Sequence, residues 1–170
     1  RLYPLADLII PNSTGIKTDL ANNFQINTKK ISIIHNPVDT NKIRAMSSEN
    51  IDDFNYDKFT FVTLGRLQSQ KNHRLLITSF GKIANDSQLL IIGEGELRGE
   101  LEKLVNELKL GDRVFLIGYR ENPFKYLAKA DCFVVSSDFD GIPNSLLEAL
   151  ACNLPIISTD CKSGPREILC

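Results

Sequence analysis

The fold is indicated by residues 89–117, which read LLIIGEGELRGELEKLVNELKLGDRVFLI. The stretch begins and ends with short apolar runs, Leu89–Ile92 and Val114–Ile117, whose length and composition are typical of buried β-strands. Between them, Glu96–Leu108 repeats its apolar residues at i, i+4, i+7, i+8 and i+11, which is one stripe of an amphipathic helix. We expect Gly111 to lie at the C-terminal cap of this helix. The stretch therefore predicts a strand, a helix and a second strand.

The same alternation continues along the chain. Further apolar runs rich in β-branched residues predict strands at Phe59–Leu64, Cys132–Val135 and Pro155–Ser158. Asn72–Ala84 has helical period, with its apolar residues on one side. Strands that are apolar throughout are typical of a parallel sheet covered by helices on both faces, so the predicted class is α/β. The order of the strands in the sheet cannot be read from this periodicity.

The first fifty residues are less regular. Asp7–Ile10 and Ile31–Ile34 have the composition of strands, and Thr14–Phe24 is predicted to be a short helix. Asn12 and Ser13 are residues that commonly cap a helix N-terminus. We therefore predict a short strand–helix–strand unit in this part of the chain.

Composition excludes several classes of protein. The chain has 20 Lys and Arg against 21 Asp and Glu, a net charge of −1, so it is not a polycation made to bind nucleic acid. No apolar run approaches the ~20 residues that a membrane-spanning helix needs. The four cysteines share no CxxC spacing, which disfavours structural zinc or a disulfide framework and fits a reducing cytoplasm.

In an open parallel sheet, ligands bind where strands end and helices begin. The first such junction follows Phe59–Leu64, where Gly65 is succeeded by two cations five residues apart, Arg66 and Lys71. A diphosphate there would gain two charge-assisted contacts and the amides of a helix N-terminus. Taken alone, the stretch favours two solvated surface cations over a diphosphate site.

The second junction, Gly93-Glu94-Gly95, only partly matches the glycine-rich fingerprint of dinucleotide-binding proteins. The acids Glu94 and Glu96 would repel a pyrophosphate, although an acid suits the first turn of a helix. We therefore predict a tight strand-to-helix turn at this point rather than a phosphate cradle.

The third junction lies between Cys132–Val135 and a predicted helix. Gly141 permits close approach of backbone, and Pro143 is a residue that commonly starts a helix. The amides of residues 144–146 would then face an anion. The sequence thus predicts an anion site at the start of this helix.

Two carboxylates lie on either side of that helix start, Asp140 and Glu148, eight residues apart. Asp138 and Asp140 also form the pattern of a DxD metal motif. We favour a site without metal, because a second acid and a helix N-terminus account for Asp140 without one.

Several motifs occur in a fixed order: Asn36–Asp39, Gly65–Leu67, Lys71-Asn72, Gly93–Gly95, Leu116–Tyr119, Asp140-Gly141, Leu147–Ala151, Leu154–Ile157 and Gly164–Glu167. With these motifs the chain resembles the retaining glycosyltransferases of family four, which have the GT-B fold of two Rossmann-like domains. The resemblance covers residues 7–168. It implies a Rossmann-like, doubly wound parallel sheet that forms the C-terminal half of a GT-B fold. It also implies an enzyme that moves a sugar from a nucleotide donor to an acceptor with retained anomeric configuration.

The resemblance implies roles for individual residues. Arg66 and Lys71 would hold the donor diphosphate and stabilise charge on the leaving phosphate. Asp140 matches the first acid of the family's acid-x7-acid motif, near the donor sugar, and Glu148 matches the second, which binds the ribose hydroxyls. The remaining donor-binding positions implied by the match are Gly65, Tyr119, Arg120, Gly141, Ile142, Pro143, Asn144 and Ser145. No metal or other cofactor is implied, because cations and a helix N-terminus neutralise the departing diphosphate.

Two positions depart from the family pattern. Asp140 stands where Glu is usual, which makes the carboxylate one methylene shorter, and Asn153 stands where Gly is usual. We expect residues 1–38 to be the tail of the acceptor-binding domain with its linker, and residues 39–170 to be a donor-binding domain truncated at its C-terminus. Such a fragment is expected to be inactive alone.

The resemblance also implies substrates and a location. The expected donor is a UDP-sugar carrying a hexosyl or N-acetylhexosaminyl group, and the expected acceptor is a glycan or a lipid-linked glycan. The full-length enzyme is expected in the cytoplasm, with peripheral association at the inner face of the membrane. Two alternatives stay open: a nucleotide-sugar epimerase of GT-B fold, and a non-catalytic nucleotide-binding module.

Overall fold

A computed structural model describes residues 3–83, 86–161 and 163–170 of the chain. Its centre is a sheet of five parallel strands in the order β3-β2-β1-β4-β5. The strands are β1 Phe59–Leu64, β2 Ser87–Ile92, β3 Val114–Gly118, β4 Cys132–Val135 and β5 Ile156–Ser158. This is the strand order of the Rossmann fold. The predicted fold class is confirmed.

The strands are connected by short helices. These are α1 Thr14–Asn22, α2 Thr40–Ser47, α3 His73–Phe80, α4 Arg98–Glu107, α5 Phe124–Leu127, α6 Asn144–Ala151 and α7 Pro165–Leu169. Short 3-10 helices occupy Tyr3–Leu5, Thr28–Lys30 and Ser69–Lys71. Of the described helices, none has the length and apolar character required to cross a membrane.

The core lies on both faces of the sheet, and β2 shows how. All six of its residues are buried, because successive side chains point to opposite faces and both faces are covered. Leu89 and Ile91 pack in the cluster that contains α3 and α4 side chains. Leu90 and Ile92 pack in the cluster that contains α5 and α6 side chains. The connecting helices therefore lie on both sides of the sheet, with α3 on one face and α6 on the other.

Residues before α2 form a smaller unit with its own cluster of Leu20, Ile26 and Ile31. The strands predicted at Asp7–Ile10 and Ile31–Ile34 were wrong, since only a single parallel bridge joins Ile9 to Ile31. The Ile34 amide also donates to the Pro11 carbonyl at 3.1 Å, so the backbone pairing continues past the bridge without forming two regular strands. The predicted cap at Ser13 is confirmed, because its hydroxyl accepts a hydrogen bond from the Ile16 amide at 3.1 Å.

The predicted helix ends needed correction. Helix α4 begins at Arg98, and the left-handed residue after it is Lys109 (φ 56°) rather than Gly111. Asn153 takes the left-handed conformation (φ 58°) that its place after α6 requires, in agreement with its tolerance for that cap. Helix α3 ends at Phe80, and the predicted end at Ala84 lies outside the described residues.

Candidate functional site

The strand order creates a crevice between β1 and β4. These strands are neighbours, yet the chain leaves β1 toward α3 on one face and leaves β4 toward α6 on the other face. The loops after the two strands therefore diverge, at the point where ligands bind in open parallel sheets. These loops are residues 65–72 and 136–143, which contain most of the predicted site residues.

The loop after β1 carries both predicted cations. Its 3-10 turn at Ser69–Lys71 ends at Asn72, which adopts a left-handed conformation (φ 45°) and caps α3 by accepting from the Leu75 amide at 3.0 Å. Arg66 is exposed, and none of the residues the structure describes pairs with its guanidinium. Its charge is therefore directed to solvent at the mouth of the crevice.

Lys71 and Asp140 meet across the crevice. The Lys71 ammonium lies 2.5 Å from Oδ2 of Asp140, with 23% and 12% of the two side chains exposed. Ser137 donates its hydroxyl to the same oxygen at 3.3 Å, and the Gly141 amide donates to Oδ1 at 3.1 Å. These donors hold both oxygens of the Asp140 side chain in place. The structure thus brings together two of the three predicted catalytic residues.

Helix α6 starts beside this pair. Its first residue is Asn144, and Pro143 precedes it with extended backbone. The Leu146 amide was expected to face an anion, but it donates to the Pro143 carbonyl at 3.0 Å. Within the described chain, no acceptor binds the amides of Asn144 and Ser145, so these two are the ones free for an anion. Their neighbour Ile142 is buried.

Glu148 lies on α6 four residues after Asn144. Its side chain is half-buried, and burial raises the pKa of its carboxyl group. No donor to this carboxylate occurs among the described residues. The group is thus a hydrogen-bond acceptor without a protein partner, as a contact to ribose hydroxyls would require.

Tyr119 and Arg120 follow β3 and differ in their surroundings. Tyr119 is 72% exposed, so its ring is free for contact with a ligand. Arg120 is held by protein groups: it pairs with Asp53 at 3.2 Å and donates to the Tyr126 hydroxyl at 3.1 Å. Its guanidinium also donates to the Tyr119 carbonyl. Arg120 therefore fixes the backbone of the residue that carries the free ring.

The turn after β2 is tight, in agreement with the prediction. Gly93 has φ +142°, and a Cβ there would lie 2.0 Å from the carbonyl oxygen of Gly65. A Cβ on Gly95 would lie 2.4 Å from the Leu67 carbonyl oxygen. These two glycines let the turn pack against the loop that bears Arg66, and Glu94 binds Arg98 at 2.6 Å rather than a ligand.

The two acids of the DxD pattern have different partners. The Asp138 carboxylate accepts from the Asn72 amide group at 2.7 Å, whereas Asp140 is bound to Lys71. In residues 3–83, 86–161 and 163–170, no cluster of three metal-ligating side chains is present.

Comparison with known families identifies the chain. The model of the family described as Glycosyl transferases group 1 matches residues 46–170. The chain belongs to this family.

This group 1 glycosyl transferase chain has curated relatives with known activities. It is 45% identical over 167 residues to an N-acetylgalactosamine-N,N'-diacetylbacillosaminyl-diphospho-undecaprenol 4-alpha-N-acetylgalactosaminyltransferase of Campylobacter jejuni, covering 98% of this chain and 45% of that protein. It is 32% identical to a UDP-Gal:alpha-D-GlcNAc-diphosphoundecaprenol alpha-1,3-galactosyltransferase of Escherichia coli, covering 78% of this chain and 37% of that protein. The chain therefore spans less than half the length of these relatives.

A solved structure supports the fold of the group 1 chain. An Anabaena protein, HepE, in complex with UDP superposes with a TM-score of 0.83 and 18% identity, covering 99% of this chain and 48% of that one. At this identity, the similarity concerns the fold alone.

Sequence reasoning missed two residues near Lys71, His73 and Ser136. His73 is 2% exposed, its Nδ1 has no described partner, and burial together with the Lys71 charge lowers its pKa to about 4. Ser136 donates its hydroxyl to the Lys71 carbonyl at 2.7 Å. The signal available was the run Lys71-Asn72-His73 at a predicted helix start, but its polar character suggested exposure rather than burial.

Proposed function

We propose that this chain is the donor-binding part of a glycosyltransferase that uses a UDP-sugar to glycosylate a lipid-linked or glycan acceptor. The observation that carries the proposal is the pairing of Lys71 with Asp140 across the crevice between β1 and β4, with exposed Arg66 in the same loop as Lys71 and the first turn of α6 following Asp140. Cations and free amides at such a crevice are complementary to a diphosphate.

In the proposed reaction, the bond between the anomeric carbon and the donor phosphate oxygen breaks, and a bond to the acceptor hydroxyl oxygen forms. The acceptor proton passes to the departing nucleoside diphosphate. Arg66 and Lys71 stabilise the charge that develops on this leaving group, which is the largest electrostatic change of the reaction. Asp140 faces the donor sugar, and the product keeps the anomeric configuration of the donor.

Metal independence is part of the proposal. Two cationic side chains and the amides of Asn144 and Ser145 supply the positive field that a divalent ion supplies in other sugar transfers. Lys71 is already oriented by Asp140 before a ligand binds, so little side-chain entropy is lost when the diphosphate arrives.

The names of the relatives support the choice of donor and acceptor. One transfers galactose from UDP-galactose to an undecaprenyl diphosphate-linked sugar, and another transfers N-acetylgalactosamine to a related lipid-linked sugar. We propose the same classes of substrate here, with the enzyme working in the cytoplasm at the inner face of the membrane, where a lipid-linked acceptor is exposed.

The test uses the full-length protein that contains this chain. It is incubated with UDP- or GDP-sugars labelled in the sugar, with and without a lipid extract. We expect label to move from a UDP-sugar into the extractable lipid, at the same rate in EDTA and in Mn²⁺. Proton NMR of the purified product then gives the anomeric configuration through the coupling constant at C1.

The same incubation separates the two alternatives. An epimerase changes the sugar nucleotide in the absence of any lipid acceptor, whereas a binding module alters neither component. Either of these results overturns the proposed transfer. If label is transferred only from GDP-sugars, the proposal that the donor is a UDP-sugar is overturned.

A further inference from the structure

Residues 163–167, here called the strap, join helix α1 to the loop that carries Asp140. At one end, Glu167 binds the first turn of α1. Its carboxylate accepts the Thr14 amide at 2.8 and 2.9 Å, the Thr14 hydroxyl at 2.8 Å and the Gly15 amide at 3.4 Å. These amides have no partner inside the helix, and the negative charge also suits the helix dipole.

At its other end, the strap contacts the Asp140 backbone. Ser163 donates its hydroxyl to the Asp140 carbonyl oxygen at 2.5 Å. Gly164 has φ +76°, and a Cβ there would lie only 1.8 Å from the carbonyl oxygen of Gly141. The strap backbone therefore packs directly on the two residues that place the carboxylate opposite Lys71.

The first turn of α1 also packs directly against Ser163 of the strap. A Cβ added to Gly15 would lie 2.5 Å from the Cβ of Ser163, a separation that would force one of the two backbones to move. The first turn of α1, the strap and the Asp140 loop thus form one continuous stack. A large cleft of about 960 Å³ opens beside this stack, between α1 and the loop that begins at Phe139.

We infer that Ser163 and Glu167 are positioning residues, which fix the Asp140 carboxylate for sugar transfer and make its place depend on the docking of α1. The inference rests on the proposed function, because it takes Asp140 as the group that faces the donor sugar. A displacement of about 1 Å at a reacting group costs on the order of 100-fold in rate, so a bond to the carbonyl of Asp140 is sufficient to matter.

The test compares strap variants with matched controls in the full-length protein. Ser163→Ala removes the bond to Asp140, and Gly15→Ala forces α1 away from Ser163. The controls are Ser48→Ala, which removes a hydroxyl bonded to the Ala45 carbonyl, and Gly99→Ala, where an added Cβ meets no atom within 4 Å. We expect kcat to fall about 10-fold or more in Ser163→Ala and in Gly15→Ala, and less than about 2-fold in the controls.

UDP binding distinguishes a positioning effect from a general loss of structure, because a general loss of structure would also weaken UDP binding. The dissociation constant for UDP should stay within about 2-fold of wild type in both strap variants, because Arg66, Lys71 and the α6 amides are untouched. A Glu167→Gln variant tests the α1 end with no change of volume, and Glu107→Gln on α4 is its control. If Ser163→Ala does not fold, Glu167→Gln provides the same kcat test.

A double-mutant cycle distinguishes positioning from an independent effect. When Ser163→Ala is added to Asp140→Asn, kcat should fall less than about 2-fold below that of Asp140→Asn alone, because the strap acts through Asp140. If the effects of Ser163→Ala and Asp140→Asn on kcat multiply, the inference is overturned. It is also overturned if Ser163→Ala, Gly15→Ala and Glu167→Gln all keep the wild-type kcat. A wild-type protein that transfers no sugar overturns the proposed function as well, so the two failures are distinguishable.

Discussion

Lys71 is oriented in the crevice by an acid rather than left to sample solvent. Its ammonium lies 2.5 Å from Asp140 Oδ2, and both side chains are largely shielded from water. Removing one partner of a shielded ion pair leaves the other charge without compensation. The same pairing keeps Lys71 directed toward the place where a diphosphate would lie.

We predict that Lys71→Ala weakens UDP binding by ~1.5–3 kcal/mol, the range for a hydrogen bond to a charged group. Calorimetry with UDP and with uridine measures this. Uridine lacks phosphates, so its affinity should be the same in the two proteins. Lys103→Ala is the control, because Lys103 is 78% exposed on α4 and is paired only with Glu107 among the described residues. Equal UDP affinity in wild type and Lys71→Ala would contradict the assignment.

His73 offers a second prediction at the scale of one residue. Burial, and then the Lys71 charge, lower the pKa of its imidazole to about 4, whereas an unfolded histidine titrates near ~6.5. Between these values, the unfolded chain binds a proton that the folded chain does not. The free energy of unfolding therefore decreases as pH falls from about 6.5 toward 4, by at most ~1.4 kcal/mol per pH unit.

Proton NMR of the histidine Cε1–H signals gives the direct measurement. The His73 signal should not shift between pH 8 and pH 5. Urea denaturation at pH 7 and pH 5 should give the lower stability at pH 5. A His73 signal with a midpoint near pH 6.5 would show that the imidazole is not buried as described.

At the scale of elements, the turn after β2 and the loop after β1 cross backbone to backbone. The Gly65 amide donates to the Ile92 carbonyl at 3.0 Å, and the Leu67 amide donates to the Glu94 carbonyl at 2.9 Å. These bonds extend the pairing of β1 with β2 beyond the ends of both strands. Only a residue without Cβ fits at Gly93, because the Gly65 carbonyl occupies the space.

We predict that Gly93→Ala lowers the free energy of unfolding by ~2–4 kcal/mol, because it combines a backbone clash with a strained positive φ. Gly111→Ala, where nothing lies within 4 Å of an added Cβ, should change it by less than ~0.5 kcal/mol. Urea denaturation of the two variants measures the difference. If the free energy of unfolding changes by similar amounts in the two variants, the backbone at Gly93 does not pack as closely on Gly65 as described.

At the scale of the whole molecule, the strand order decides which loops share a crevice. Strands β1 and β4 are separated by two strands and more than sixty residues in sequence, yet they are neighbours in the sheet. Their diverging loops bring Lys71 and Asp140 into contact, and the same two loops carry Arg66 and lead into α6. We propose that a diphosphate binds there without help from a metal ion.

We therefore predict that UDP binds this protein equally well in EDTA and in excess Mn²⁺. The physical reason is that Arg66, Lys71 and the amides of α6 supply the positive charge themselves. Calorimetry in the two buffers gives both dissociation constants. Binding that requires Mn²⁺ would revive the metal site at Asp138 and Asp140 and overturn the description of the crevice.

The sequence by itself determined the five strands of the sheet and the tight turn after β2. β1 and β4 have the predicted bounds because buried parallel strands are continuous apolar runs, which no amphipathic helix resembles. The motif order likewise pointed to the family that the comparison then confirmed. Helix α5 escaped prediction because four residues are too few to display a period, and α2 escaped it because Ile43 is its one buried residue, which makes no apolar stripe.

Only the tertiary structure decided which of these groups meet. The pairing of Lys71 with Asp140, the burial of His73 and the contact of Ser163 with Asp140 depend on the order of the strands. Hydrophobic periodicity records which face of an element is buried, but it does not record which element covers that face. Asn72 and Asp138, which are in contact, lie 66 positions apart in the sequence, and Thr14 and Glu167 lie 153 positions apart. Such contacts form only when the sheet has been assembled.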